Sequence, residues 1–277
     1  LKFPEGPVYL GGGELVVTEI QGQCVTKFAD GKSQIVAKTG GGANGATLGR
    51  DGAIYVTNNG GLSLGETGYW HAPDPITGRI QRVTLDGEVT DFVSEFPGAE
   101  PHRPNDLCFG PDGLLYFTDP HNWEDFQNLG PGRVDRVTAE GKVEQLAEVG
   151  MFPNGIAFGP EINGQIHLYV TQTITRKILE FPWSEAGLGE PREFAELPEN
   201  HFPDGVCFSV DGDLYVSGAR GAAVCVFDRE GKLKERLDTK HSPSNCCFGD
   251  GTLYVTLAGS GELIGFDLGV EGLSLYT

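Results

Sequence analysis

Six residues with oxygen-bearing side chains occupy equivalent positions in a segment that recurs along the chain. They are Glu5, Asn44, Asn105, Asn154, Asp204 and Ser244. Asn, Asp and Ser at a strand start commonly satisfy nearby backbone groups, which is a sufficient explanation for any single position. It does not explain six equivalent positions without one apolar residue, because burying a ring of acids and amides costs free energy unless something binds there.

The ligand that this ring would bind follows from the chemistry of its donors. Two carboxylates and several amide oxygens, without His or Cys, suit Ca²⁺, which takes roughly six to eight oxygen ligands. With Glu5, Asn105, Asn154 and Asp204 as protein ligands, coordination positions remain for water or substrate, which is typical of a catalytic metal site. Mg²⁺, Mn²⁺ or another divalent cation stays open as an alternative.

The segment that carries these residues predicts a strand, a turn and a second strand. Examples are PNDLCFGPDGLLYFTD from Pro104 and PDGVCFSVDGDLYVSG from Pro203. Asp-Gly pairs between the apolar runs favour hairpin turns, which need positive φ, and a second hairpin follows in most copies. Copies begin near residues 4, 43, 104, 153, 203 and 243.

Six four-stranded copies at a period of about 40 to 60 residues predict an all-β fold, a six-bladed β-propeller with four antiparallel strands per blade. A plain antiparallel sandwich would not explain why one motif returns six times. We therefore expect one domain over residues 1–277. We also expect the last blade to own four strands, ending in GLSLYT, and to close the ring by packing on blade one without strand exchange.

Two long insertions, from about residue 59 to 78 and from about 120 to 132, follow second strands and would cover the mouth that holds the six polar residues. Long loops of this kind are often lids, although a solvated insertion with exposed aromatic residues is the simpler alternative. The second insertion carries His121 and Trp123, and His102 and Phe152 precede their motif residues by three and two positions. We expect Trp123, Phe152, His102 and Asn44 to contact a substrate in a partly apolar vestibule.

The composition excludes several classes of partner. With 20 Lys and Arg against 39 Asp and Glu, the net charge of −19 disfavours nucleic acid and anionic membrane surfaces. No apolar run reaches the length of a membrane-spanning helix, and the first residues do not resemble a signal peptide, so we expect a cytoplasmic protein. The six cysteines show no C-x-x-C spacing. The choice between a monomer and a small homo-oligomer stays open.

Two segments resemble the senescence-marker-protein/gluconolactonase/regucalcin family of calcium-dependent lactonases, and the resemblance spans nearly the whole chain. They are FPEGPVY from Phe3 and RPNDLCFGPDGLLYFTDP from Arg103. The resemblance implies that Glu5, Asn154 and Asp204 bind the metal. It also implies that Asn105 contacts metal or substrate and that Arg103 contacts substrate. The aromatic residues of the insertions that would cover the mouth favour a less hydroxylated lactone or ester over a sugar lactone.

The expected reaction is hydrolysis of a lactone whose carbonyl is polarised by the metal. Asp204 is the first candidate for the general base, and His121 is the alternative. Hydrolysis of a phosphotriester or aryl ester at the same metal is a second possibility. A calcium-braced propeller that binds a ligand without catalysis is a third. A serine nucleophile is disfavoured because the G-x-S-x-G match, GLSLG from Gly61, lies in an insertion and not at a predicted strand-to-helix turn.

Overall fold

The computed structural model describes residues 1–65 and 67–276, which form 26 β-strands and no helix. The strands are arranged in six blades as a β-propeller, which confirms the fold predicted from the repeats. Among these residues, no helix has the length and apolar composition needed to cross a membrane.

The first three blades each contain four antiparallel strands. Blade one consists of β1 (Pro4–Gly11), β2 (Glu14–Glu19), β3 (Cys24–Ala29) and β4 (Lys32–Lys38). Blade two and its inserted hairpin β7–β8 consist of β5 (Ala43–Leu48), β6 (Ile54–Asn58), β7 (Leu62–Leu64), β8 (Tyr69–His71), β9 (Arg79–Val83) and β10 (Val89–Val93). Blade three consists of β11 (Leu107–Phe109), β12 (Leu115–Asp119), β13 (Arg133–Val137) and β14 (Val143–Glu148).

The last three blades differ in strand number. Blade four consists of β15 (Pro153–Phe158), β16 (His167–Gln172), β17 (Lys177–Ser184), β18 (Gly187–Leu188) and β19 (Arg192–Glu196). Blade five consists of β20 (Phe202–Phe208), β21 (Leu214–Ala219), β22 (Ala223–Phe227) and β23 (Leu233–Asp238). Blade six consists of β24 (Pro243–Gly249), β25 (Thr252–Leu257) and β26 (Glu262–Asp267).

The Asp-Gly turns form for the expected reason. Between β5 and β6, the N–H of Gly49 donates to the carbonyl of Ala53 at 2.8 Å, and Gly52 has a φ of 76°. Glycine adopts this left-handed conformation without the steric cost of a Cβ atom. The carboxylate of Asp51 accepts a hydrogen bond from the N–H of Ala53, which fixes the turn from within.

The hydrophobic core lies between neighbouring blades, because each strand presents alternate side chains to the blade on either side. Separate buried clusters fill the junctions between blades one and two, two and three, three and four, four and five, and five and six. At the sixth junction Tyr9 stacks on Tyr254 with ring centroids 5.8 Å apart. The ring therefore closes by packing, with β1 and β24 in separate sheets, as expected.

The prediction of a fourth strand in blade six is wrong, because among the described residues the sheet of this blade has three strands. After β26 the chain crosses to blade five, where Gly272 forms a β-bridge with Ser209 and the N–H of Leu273 donates to the carbonyl of Phe208. Leu273 and Tyr276 then pack against the clusters of the neighbouring blades. Their burial replaces the edge pairing that a fourth strand would have provided. Thr277, the last residue of GLSLYT, lies outside the described residues.

Candidate functional site

Five of the six predicted ring residues line one cavity of about 390 Å³ at the mouth of the central channel. They are Glu5, Asn44, Asn105, Asn154 and Asp204. Ser244, which we expected in the same ring, does not line this cavity. Its hydroxyl donates to the carbonyl of Pro4 at 2.8 Å, so it joins blade six to blade one.

A repeated hydrogen bond between blades positions the ring. The hydroxyls of Thr57, Thr118 and Thr171, each on the second strand of its blade, donate to the backbone carbonyls of Asn105, Asn154 and Asp204 in the next blade. The distances are 2.5, 2.6 and 3.1 Å. Thr18 donates in the same way to Asn44. Each of blades one to four thus holds the backbone of the next blade's ring residue.

The residue after each ring residue sets how closely the blades approach. It is glycine in blades one, two, four and five. A Cβ atom on Gly155 would lie 2.2 Å from the carbonyl oxygen of Asp204, so a larger side chain would force these two blades apart. Blade three instead has Asp106 and blade six has Asn245, which are buried in the channel and contact each other at 3.4 Å.

Three carboxylates consequently share the buried channel. Burial, and then the charges of Asp204 and Asp106, raise the pKa of Glu5 well above its ordinary value. Burial, and then the charge of Asp106, raise the pKa of Asp204 in the same direction. Burial also raises the pKa of Asp106 to about 7. Among the described residues, no cationic side chain contributes to these shifts, and Arg220, which lines the same cavity, is exposed to solvent.

The donor set of this site fits a hard divalent cation. No three His, Cys, Asp or Glu side chains of residues 1–65 and 67–276 come together as a metal site. A metal would therefore depend on asparagine oxygens in addition to the carboxylates of Glu5 and Asp204. Carboxylate and amide oxygens are the ligands that Ca²⁺ prefers, and they suit Mg²⁺ and Mn²⁺ as well.

Aromatic side chains from three segments of the chain meet above the ring. We call Tyr69, Trp123, Phe126 and Phe152 the aromatic lid. Trp123 lies with its ring centroid 5.8 Å from that of Tyr69 and 5.5 Å from that of Phe152, and the last three of the four residues line the cavity. The expected positions of Trp123 and Phe152 near a substrate are thus compatible with this geometry. Glu66, in the first insertion, lies outside the described residues.

Three residues that we expected to serve catalysis or substrate contact are not part of the cavity lining. The guanidinium of Arg103 donates to the carbonyl of Asn59 at 3.1 Å and pairs with Glu124 at 3.3 Å. The imidazole of His121 donates from Nε2 to the carbonyl of Ala99 at 2.7 Å. His102 is buried and is hydrogen-bonded to the carboxylate of Asp119.

The buried carboxylate of Asp119 binds both the segment before β11 and the segment after β12. This carboxylate accepts hydrogen bonds from His102 Nδ1 at 2.7 Å and from the backbone N–H groups of Arg103 and His121 at 2.9 and 2.8 Å. Burial acts to raise the pKa of Asp119, but these hydrogen bonds outweigh it and hold the pKa below its ordinary value. Arg133 lies 3.5 Å from the same carboxylate.

Sequence reasoning missed both Asp106 and Asp119. Asp106 stands where four other blades have glycine, and this exception within the repeat was the available signal. Asp119 follows the second-strand threonine of its blade, where Asn58 takes the same role in blade two by accepting from the N–H of Gly42. A comparison of the repeats position by position would have indicated both.

Comparison with known proteins gives consistent relatives. A model of the SMP-30/gluconolactonase/LRE-like region matches residues 3–259. A gluconolactonase of Zymomonas mobilis is 26% identical over 292 residues, covering 92% of this chain and 76% of the relative. The structure of a Xanthomonas campestris gluconolactonase is 26% identical with a TM-score of 0.77, covering 98% of this chain and 86% of that chain. A calcium-binding protein of Agrobacterium tumefaciens, regucalcin, shares the fold at 19% identity with a TM-score of 0.77, covering 100% of this chain and 94% of that chain.

Replacing Thr118 by Val should loosen the junction between blades three and four. The variant keeps the shape of the side chain but leaves the buried carbonyl of Asn154 without the hydroxyl donor, which typically costs about 1–3 kcal/mol. Urea unfolding measures the change. Ser217→Ala is the matched control, because the hydroxyl of Ser217 is buried without a hydrogen-bond partner in the described residues. Equal losses in the two variants would contradict a specific role for the inter-blade bond.

Replacing Asp106 by Asn should change how the stability of the metal-free protein depends on pH. In the folded state the pKa of Asp106 is raised from 3.8 to about 7. Between these two pH values the folded protein keeps a proton on Asp106 that the unfolded chain has lost. The free energy of unfolding therefore falls as pH rises through this window, by up to about 4 kcal/mol for a shift of about three units. Urea unfolding with a chelator at about pH 5 and about pH 8 should show a smaller fall in Asp106→Asn than in the wild type. The exposed Asp211→Asn is the control, and an unchanged fall in Asp106→Asn would refute the assignment.

Proposed function

Because the chain belongs to the SMP-30/gluconolactonase/LRE-like family, we propose that it is a hydrolase that opens a lactone ring in the cavity at the channel mouth. The observation that carries this proposal is that the buried Glu5 and the half-buried Asp204 line one cavity together with asparagine amides, while the cationic residue of the lining, Arg220, is exposed to solvent. A cavity of this size accommodates a small cyclic ester.

The proposal includes a divalent cation, with Ca²⁺ as the first choice. Glu5, Asn105, Asn154 and Asp204 would hold it through their side-chain oxygens. When bound, such a cation supplies charge that polarises a substrate carbonyl and stabilises the oxyanion formed on attack by water. The carboxylates would then be ionised near neutral pH, since a positive neighbour lowers the pKa that burial has raised.

Asp204 is the residue that we assign as general base. Its carboxylate accepts a proton from the attacking water as the new C–O bond forms, and the proton passes to the ring oxygen as the ester C–O bond breaks. The side chain of Asn154 is hydrogen-bonded to Asp204 and orients the carboxylate. Asn44 and Asn105 line the same cavity and are suited to hold the substrate. The hydrogen bond from His121 to Ala99 leaves Asp204 as the better base.

Replacing Asp204 by Asn should preserve the fold and lower kcat for lactone hydrolysis by about 100-fold or more, because the base is lost while the size of the side chain is kept. A pH-stat assay on a panel of lactones measures the change, and circular dichroism checks the fold. Asp211→Asn, an exposed position in the same blade, should retain full activity. Residual activity of Asp204→Asn near the wild-type rate would show that another group is the base. Hydrolysis of phenyl acetate or paraoxon without hydrolysis of any lactone would replace the proposed reaction by the ester alternative.

Removal of divalent cations should abolish lactone hydrolysis, and Ca²⁺ should restore it and raise Tm. The rise in Tm should be smaller at about pH 5 than at about pH 7.5, because protons compete with the cation for carboxylates whose pKa values are raised. Differential scanning fluorimetry with Ca²⁺, Mg²⁺ and Mn²⁺ ranks the metals. The Glu5→Gln variant should lose most of the Ca²⁺-dependent rise. Full activity in the presence of chelator, with no cation changing Tm, would exclude a metal at this site.

A further inference from the structure

We propose that the substrate is a lactone with an aromatic or other apolar body, and that a polyhydroxylated sugar lactone is a poor substrate. This inference rests on the proposed lactonase function and concerns the part of the cavity above the ring. There, the apolar side chains and the hydrogen bonds already made by the polar ones determine which substrate groups can be bound.

The upper wall of the cavity is largely aromatic. Phe126 lies with its ring centroid 6.1 Å from the rings of Trp123 and Phe152, and 42% of its surface is exposed at the mouth. Behind these rings, Leu62 is fully buried and joins the same apolar cluster. Further apolar side chains line the cavity elsewhere, namely Phe3, Ile20, Leu64, Ile174 and Phe202. An apolar substituent would therefore be surrounded by apolar surface.

Three polar residues of the upper wall, Ser63, Asn59 and Thr173, have hydrogen bonds within the protein, whereas the exposed guanidinium of Arg220 lies over the ring of Phe202, 5.3 Å from the ring centroid. The side-chain oxygen of Asn59 accepts from the N–H groups of Gly61 and Leu62, and its amide nitrogen donates to the carbonyl of Leu62. The hydroxyl of Thr173 donates to the carbonyl of Pro203 at 2.9 Å. These groups are occupied in holding loops, so they offer little to a sugar hydroxyl. A buried hydroxyl without a partner carries a desolvation penalty.

Apart from Arg220, the groups available to a polar substrate atom lie at the floor of the cavity. The amides of Asn44 and Asn105 reach the cavity beside Glu5 and Asp204, where we place the ester group. A substrate that matches this distribution has one polar end, the lactone carbonyl, and an apolar remainder. Sugar lactones carry hydroxyls on most of their ring carbons and do not match it.

Two residues of this apolar wall adopt a backbone conformation that costs free energy. Phe3 and Phe152 have φ values of 55° and 63°, in the left-handed region that bulky side chains rarely adopt. Such residues cost about 1–3 kcal/mol each and concentrate at functional sites. Both residues line the cavity and both occur two positions before a ring residue. Their placement is consistent with a role in binding rather than in packing alone.

Steady-state kinetics on two probes of similar size tests the inference. Dihydrocoumarin is an uncharged lactone fused to an aromatic ring, and D-glucono-1,5-lactone carries hydroxyls and no apolar group. With Ca²⁺ present, we expect kcat/KM for dihydrocoumarin to exceed that for the sugar lactone by about 10-fold or more. A higher kcat/KM for the sugar lactone would overturn the inference while leaving the lactonase function intact.

The Phe126→Ala variant tests whether the aromatic lid is responsible. Because Phe126 is at the surface, its truncation should not disturb the fold. We expect KM for dihydrocoumarin to rise about 5- to 10-fold, with kcat and the kinetics on the sugar lactone nearly unchanged. Phe92→Ala is the matched control, since Phe92 is a similarly exposed phenylalanine, at 38%, on β10 outside the cavity. Equal effects of the two variants, or no effect of Phe126→Ala, would show that the aromatic lid does not determine substrate binding.

Binding of chroman, which has the fused rings of dihydrocoumarin but no carbonyl, separates the two proposals. If neither lactone is hydrolysed, the lactonase function fails. Saturable chroman binding by calorimetry that weakens in Phe126→Ala would still support an apolar ligand. Absence of chroman binding in an inactive protein would overturn the inference as well.

Discussion

The ring of polar side chains depends on a hydrogen bond between successive blades. In four blades the hydroxyl of a second-strand threonine donates to the carbonyl of the ring residue in the next blade. Since each carbonyl is held from the neighbouring blade, the side chain attached to the same residue is aimed at the cavity from a fixed backbone. The last blade uses a different device, in which the hydroxyl of Ser244 reaches back to Pro4 and closes the circle. The positions of these four ring residues thus depend on the neighbouring blade as well as on their own.

This arrangement gathers like charges in a place where water cannot screen them. In addition to the effect of burial, the charge of Asp106 raises the pKa values of Glu5 and Asp204, and the charge of Asp204 raises that of Glu5. A folded protein tolerates such a cluster when a cation or protons neutralise it, and the free energy that the cluster costs in their absence becomes binding free energy in their presence. Asp119 shows the opposite solution in the same blade as Asp106. There, hydrogen bonds from His102 and the backbone stabilise the charged form, and the carboxylate serves to hold the chain.

The fold was predictable from the sequence because its signals are local and repeated. Asp-Gly or Asn-Gly turns and alternating apolar strands recur in each blade, so a weak signal in one blade is supported by the other five. The ring residues Glu5, Asn44, Asn105, Asn154 and Asp204 were found in the same way. The fate of Ser244 was not predictable, because it depends on Pro4, which only ring closure brings near. The absence of the expected fourth strand in blade six was not predictable either, because it depends on long-range contacts. Leu273 and Tyr276 pack against the clusters of other blades.

Residues outside the repeat resisted prediction for a related reason. Equivalent spacing placed His102 and His121 near the mouth, but spacing does not specify the direction of a side chain once a loop leaves the blade. Asp119 draws His102 inward, and His121 turns toward Ala99. The two parts of the cavity therefore follow different rules. Its floor is set by the symmetry that all blades share, whereas its upper wall combines Phe3, Phe152 and Phe202, which precede ring residues, with Trp123 and Phe126 from an insertion that this symmetry does not constrain. If the chemistry belongs to the floor and the substrate body contacts the wall, as we propose, the choice of substrate can change through the inserted loops without disturbing the reaction.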